Sequence, residues 1–507
     1  MSQISFFDGS QPLKITKPIR LIECFAGYGS QALALKYLGV DFEHWKIAEW
    51  AVKSIQAYKD MHFPDDNTDY SAEYSKEWLI DYLFEKGISA DYNKPMTREQ
   101  IARMGEKKIR RVYNNIIATH NLVSVTNVKG KDLHITDTDD YTYILTYSFP
   151  CQDLSQAGLS KGMQKGSGTR SGLLWEIERI LEECEKLPQI LLMENVPQVI
   201  GDKNREAFQE WFMKLESLGY KSWYTIMHGK DYEIPQNRER CFMVSALGDF
   251  YYEFPTPKPL KLRLKDMLEA EVDEKYYLSN KTVEMFVKHS EKKQAQGCGF
   301  KFEPTDGEGV GKCISTRAGS RTDDNFIKDY AVIKPAHGYF DGSIEHTDVI
   351  STIDTGVDNW HTLIGELKCE QVGEIQGSGY NEMTGRVYGS NGLCPTVRTF
   401  CGGGQEIKIV EDDVRCFDYY NKKEIGADVC GTLTTGTAHN GSGTFFVQQN
   451  RDYRIRKLTP KECFRLMGVK DEDFERVARN QSNSSLYHLA GDSIITNCLM
   501  AIFKQML

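Results

Sequence analysis

The chain has 507 residues and a net charge of −10, from 62 Lys and Arg against 72 Asp and Glu. That length allows two or three domains of ordinary size, and that sign excludes a uniformly basic nucleic-acid coat while leaving room for a local basic surface. With 40% hydrophobic and 26% charged residues the composition is that of a folded globular chain, not a disordered one.

Residues 19–24 (IRLIEC) form a short apolar run that predicts a buried strand. A glycine turn follows at Gly27-Tyr28-Gly29. Residues 31–38 then have helical apolar spacing, which Gly39 stops, and residues 45–48 predict a second strand ending at Glu49-Trp50. Strand, turn, helix, strand is a βαβ unit and predicts a parallel sheet. From about 61 to 120 the sequence turns polar and rich in Tyr and Lys, with helical stretches at 78–84 and 101–117; it reads as an insertion on the sheet with no assignable chemistry. Strand-like runs return at 143–147, 190–193 and 241–245, with a helical stretch at 172–187, which carries an α/β domain to about residue 260. Beyond Pro255, Pro257 and Pro259 the text is rich in Gly and Thr, with short β-like pieces between about 300 and 450. Three of these, at 313–317, 394–399 and 430–435, are loosely alike: either a weak internal repeat or hairpins with similar turns. Helical spacing returns over 458–507.

No apolar run comes near the roughly 18 residues of a membrane span, and residues 1–10 lack the basic and apolar regions of a secretory signal. The 13 cysteines include no C-x-x-C pair and no Cys/His cluster at zinc-ligand spacing, so they read as reduced thiols in a cytosol-like compartment, with no metal expected.

Five pieces carry chemistry. Gly27 to Ala32 fits G-x-G-x-x-A between a strand and a helix, with Glu49 near the spacing of a ribose-binding carboxylate. Such a turn holds NAD, FAD or S-adenosylmethionine, or no ligand at all. The lack of Lys or Arg between Phe25 and Leu35 favours a cofactor without a pyrophosphate. Trp50 is placed to stack on an adenine or to fill the core. Cys151 follows the strand at 143–147, where ligands of wound sheets bind, and Gly158, Gly162, Gly166 and Gly168 follow it as a loop; this suits a nucleophile covered after substrate entry, or a buried structural thiol. Glu194 follows the next strand at the same sheet edge. Arg238 and Arg240, two apart on an extended segment, point the same way and are suited to a base oxygen, a phosphate or a salt-bridged edge. Finally, Arg451, Arg454, Arg456, Lys457, Lys461 and Arg465 against Asp452 and Glu462 form a local basic patch fit for phosphates, or a solvated helix start.

Together these pieces resemble a bacterial or phage DNA (cytosine-5)-methyltransferase. The matching blocks are Phe25-Ala26-Gly27-Tyr28-Gly29, Pro150-Cys151-Gln152, Glu194-Asn195-Val196, Gln236-Asn237-Arg238-Glu239-Arg240, 456–468, and Gly491-Asp492-Ser493 with Asn497, in the family's order. Ser30, Glu23 and Asp492 depart from its usual Gly, Asp and Asn. The resemblance implies an α/β fold: a Rossmann-like, mostly parallel sheet with helices on both faces, plus a smaller β-rich target-recognition domain. On that reading residues 1–260 and 485–507 are catalytic and 261–484 recognise the target. It implies Cys151 as nucleophile, Glu194 as catalytic acid, and Arg240 with Arg238 on the cytosine oxygen. It implies S-adenosyl-L-methionine held by Phe25, Gly27, Gly29, Glu49, Trp50, Pro150, Asp492 and Ser493, with Asn127 or its rival Asp132 at the adenine. It implies double-stranded DNA met by Gln152, Ser155, Gln236, Thr396, Arg456 and Lys457. The expected enzyme is a cytoplasmic monomer of a bacterial cell or phage-infected host, with a cognate restriction endonuclease as a possible companion. An oxidoreductase shares the glycine turn but leaves Cys151, Glu194 and Arg240 unexplained. A transfer-RNA methyltransferase and an inactive DNA-binding regulator are the other rivals.

Overall fold

The computed structural model describes residues 10–150, 154, 162–166, 169–297, 301–330 and 453–507, and the backbone of six strands between 371 and 448. Chain contacts divide it into two compact units, residues 1–328 with 455–507, and residues 329–454.

The first unit is built on a six-stranded sheet: β1 (Ile19–Cys24), β2 (Phe42–Ala48), β3 (Thr142–Tyr147), β4 (Ile190–Asn195), β5 (Tyr220–His228) and β6 (Glu239–Leu247), in the order β2-β1-β3-β4-β6-β5. β2, β1, β3 and β4 are parallel neighbours, whereas β6 runs antiparallel to both β4 and β5. β1, β3 and β4 are buried along their whole length, which is why they are six-residue apolar runs without alternation.

Side-chain alternation feeds two cores. Ile19, Leu21, Ile190, Leu192, Phe242 and Val244 face one, which α1 (Ser30–Tyr37) and the C-terminal helix Thr496–Met506 cover. Ile22, Cys24, Leu191, Met193, Cys241 and Met243 face the other, under the helices Leu174–Glu183 and Arg205–Ser217. Helices therefore lie on both faces of a mostly parallel sheet, as expected. The stretch Asn483–Met506 has the length and mean hydropathy, 1.2, of a membrane span. It is two helices, Asn483–Asp492 and Thr496–Met506, and Leu486, Leu489, Leu499, Ile502 and Phe503 bury themselves in the first core.

The insertion forms its own small core. Leu79, Ile80 and Leu83 of the helix Lys76–Lys86 meet Ile109, Val112 and Ile116 of the helix Glu106–Ala118, over Ile55 of α2 (Val52–His62). The expected helix at 101–117 is two pieces, because Gly105 takes φ +79° between Arg98–Ala102 and Glu106–Ala118.

The unit boundaries differ from those read at residues 260 and 484. Leu264, Tyr276, Ile314, Ile327, Phe464 and Phe474 all belong to the first core, so 264–328 and 455–484 pack with the sheet. The proline cluster lies within the first unit. In the second unit the described elements are strands. One three-stranded sheet joins Gln371–Glu374, Arg386–Gly389 and Lys408–Val410; the other joins Lys423–Ile425, Arg415–Asp418 and Phe445–Gln448.

Candidate active site

The carboxyl ends of β1, β2, β3 and β4 open on one cavity of about 590 Å³. In parallel sheets this edge is where ligands bind. Its wall includes Phe25, Gly27, Glu49, Trp50, Ser148, Pro150, Glu194, Arg240 and Asp492. Groups far apart in sequence thus converge as the βαβ reading requires.

At the β1 end the chain turns sharply. Phe25 and Gly27 both have positive φ, +60° and +57°, and a Cβ on Gly27 would meet open space, so its surface is bare backbone facing the cavity. Gly29 has φ +81°, and a Cβ there would stand 2.4 Å from His62 Nε2, so only glycine fits at the start of α1. Glu49 leaves β2 and accepts from Gly27 N–H at 2.9 Å and Ala51 N–H at 2.7 Å. Asn121 clamps its backbone from both sides. Burial pushes the Glu49 carboxyl up to about 7 against those hydrogen bonds. Ser493 accepts from Tyr28 Oη at 2.9 Å, which ties the turn to the C-terminal helices. Asn127 lies in the wall, its amide donating to Glu85 O and Lys86 O, while its rival Asp132 does not line the cavity and instead accepts from Lys129 N–H.

At the β4 end, Glu194 is 5% exposed. Its Oε1 lies 3.0 Å from Arg240 Nε, and its Oε2 accepts from Ser148 Oγ. The antiparallel pairing of β6 explains the first contact. Asn195 sits opposite Cys241, which brings Arg240 to the same edge that the parallel strands reach with their carboxyl ends. The segment after β3 is fixed by Asn195 Nδ2 donating to Phe149 O at 2.9 Å and by Ser171 Oγ donating to Pro150 O at 2.8 Å. Cys151, Gln152 and Ser155 lie outside the described residues, as does Thr396; Pro150, the chain neighbour of Cys151, lines the cavity. Ser148 and Ser171 had no role in the sequence reading, and Asn195 entered it only as part of a matching block. Ser148 and Asn195 stand close to Pro150 and Glu194 in the chain, which was their only signal; Ser171 had none.

Three assignments are corrected. Arg238 was paired with Arg240, but its guanidinium donates to the carbonyls of Ile314, Gly491 and Ser493 and to Cys313 Sγ, so it joins segments of the cavity wall. It precedes the first residue of β6, so the two-residue alternation does not reach it. Gln236 is fully buried; its amide donates to Leu466 O and accepts from Ile314 N–H, leaving nothing for DNA. Arg456 is 2% exposed and doubly bonded to buried Glu462, at 2.9 and 3.0 Å. Around it Lys461 pairs with Glu475 and Arg465 with Asp471, while Lys457 holds its ammonium over the rings of Tyr276 and Tyr487. These described members of the basic patch are therefore engaged within the protein. Arg456→Ala is expected to cost about 3–5 kcal/mol in urea unfolding, because it leaves Glu462 buried and unpaired. The salt dependence of DNA binding should stay unchanged.

The family described as C-5 cytosine-specific DNA methylase matches residues 86–507. The chain belongs to that family. It is 40% identical over 274 residues to the orphan methyltransferase M.SssI of Spiroplasma monobiae, covering 52% of this chain and 68% of that one. It is 27% identical over 490 residues to the type II methyltransferase M2.ScrFI of Lactococcus lactis subsp. cremoris, covering 96% and 99%. Among solved structures, the methyltransferase EhMeth of Entamoeba histolytica matches with a TM-score of 0.50 at 12% identity, over 97% of this chain and 98% of that one, a likeness of fold alone. The methylase cavity is accordingly the place to look for its methyl-transfer chemistry.

Proposed function

We propose that this methylase transfers the methyl group of S-adenosyl-L-methionine to carbon 5 of a cytosine extruded from a specific duplex sequence, through covalent addition of Cys151. The observation that carries this is a single cavity with a glycine turn and buried Glu49 at one end and the Ser148–Glu194–Arg240 cluster at the other.

The residues present suit that cofactor. The wall from Phe25 to Gln31 has no Lys or Arg for a pyrophosphate, and Glu49 and Asp492 favour a cationic ligand. Glu49 would accept from ribose hydroxyls, Gly27 would let the ligand approach the backbone, and Trp50 would face the adenine. When bound, S-adenosyl-L-methionine supplies an electrophilic methyl group.

The rest is the work of the chain. Carbon 5 of cytosine is a weak nucleophile. Addition of the Cys151 thiolate to carbon 6 breaks the ring conjugation and makes carbon 5 enamine-like. Glu194 hydrogen-bonds the ring nitrogen and exocyclic amine, and a proton shared there offsets the charge that grows as sulfur adds. Arg240 holds the base oxygen, and Ser148 and Arg240 orient Glu194 until the base enters. After methylation a base removes the carbon-5 proton and the thiolate leaves. Arg238 fixes the wall. None of these atoms is reachable inside a duplex, so the base must be flipped out, at a cost of a few kcal/mol that protein contacts offset.

Residues 329–454, the second unit, whose described elements are strands and whose sequence includes Thr396, are the proposed sequence reader. The enzyme is proposed to act as a monomer in the cytoplasm of a bacterial or phage-infected cell. The relatives' names divide between orphan and type II, so a companion restriction endonuclease is proposed only on the second pattern. Incubation with plasmid and S-adenosyl-L-methionine, then bisulfite sequencing, tests the reading. Cytosines in one or a few recurring sequences should resist conversion. Modification of transfer RNA in place of plasmid DNA would contradict it.

A further inference from the structure

One wall of the cavity comes from the insertion, which the chemistry above does not use. Ser89 N–H donates to Trp50 O at 2.8 Å and Val52 N–H to Ser89 O at 2.9 Å, so the segment 88–96 is stitched to the residues just after Glu49. Met96 N–H closes the loop on Ile88 O, and Asp91 Oδ1 accepts from the backbone of Asn93 and Lys94. At its tip Tyr92 takes φ +62°, a conformation that bulky residues adopt only when held there. Its ring stacks on His488 of the helix Asn483–Asp492, with centroids 4.1 Å apart and planes at 14°. Ser54 Oγ donates to its hydroxyl at 3.3 Å. Both rings line the cavity that Glu49 and Asp492 also line. His488 Nδ1 is buried with no hydrogen-bond partner among the described residues. The half-buried ring therefore reaches the cavity through its other edge.

We propose that Tyr92 and His488 are a cofactor-binding pair, in which the stacked rings wall the cofactor end of the cavity and the His488 imidazole exchanges a hydrogen bond with bound S-adenosyl-L-methionine. Tyr92 is the positioning residue and His488 the contact. The inference rests on the cofactor reading above and gives the insertion a function in the reaction.

Titration calorimetry of the full chain with S-adenosyl-L-methionine and with S-adenosylhomocysteine, without DNA, tests it. His488→Phe keeps the stacked ring and removes its nitrogens. Tyr92→Asn removes the ring with a residue that tolerates the left-handed backbone. Each should weaken both ligands about tenfold, with duplex DNA affinity and the melting temperature near those of the wild type. A merely structural pair would not separate cofactor from DNA in this way. His488→Phe binding both ligands within twofold of the wild type would overturn the proposal, whatever Tyr92→Asn does. Failure of the wild-type chain to bind either ligand would instead overturn the cofactor reading.

Discussion

Cys151→Ser should lose methyl transfer to duplex DNA by at least about 10³-fold while binding S-adenosyl-L-methionine as the wild type does. A hydroxyl has nearly the size of a thiol, so cofactor affinity and stability should hold. It lacks the acidity and soft nucleophilicity that addition to a pyrimidine ring demands. Single-turnover transfer of labelled methyl, with calorimetry of cofactor binding alongside, separates the two effects. Turnover within tenfold of the wild type would remove the covalent step from the mechanism.

Glu194→Gln should lower single-turnover transfer by about 10²–10³-fold, with cofactor affinity within twofold of the wild type. The substitution keeps the shape of a buried side chain and removes both the charge facing Arg240 and the group that can share a proton with the ring nitrogen. Ser148 can still donate to the amide oxygen, so the loop should stay in place. A variant that turns over at a near-normal rate would leave Glu194 as a structural partner of Arg240.

Much of this was legible in the sequence. β1, β3 and β4 stood out because strands covered on both faces are short unbroken apolar runs. The residues just after β1, β2 and β3, and Glu194 near the end of β4, could then be placed at one edge by topology alone. β5 was missed. Tyr220–His228 is an edge strand of the antiparallel part, and its mix of buried and half-exposed positions has no clean period. Gln236 and Arg456 were misread for another reason. A polar letter does not say whether it is solvated, and their partners, Leu466 and Ile314 for the first and Glu462 for the second, are set by tertiary packing. The insertion read as chemically silent because Tyr92 meets His488 only across the folded unit, nearly four hundred residues along the chain.

The transient bond between Cys151 and the base is the central claim, and a duplex carrying 5-fluorocytosine at the target position tests it most directly. Fluorine cannot leave as a proton does, so the methylated adduct cannot resolve. With S-adenosyl-L-methionine, the wild-type chain should form a protein–DNA species that survives a denaturing gel and is absent with Cys151→Ser. No such species with an enzyme that methylates ordinary duplex, or an undiminished one with Cys151→Ser, would contradict the account.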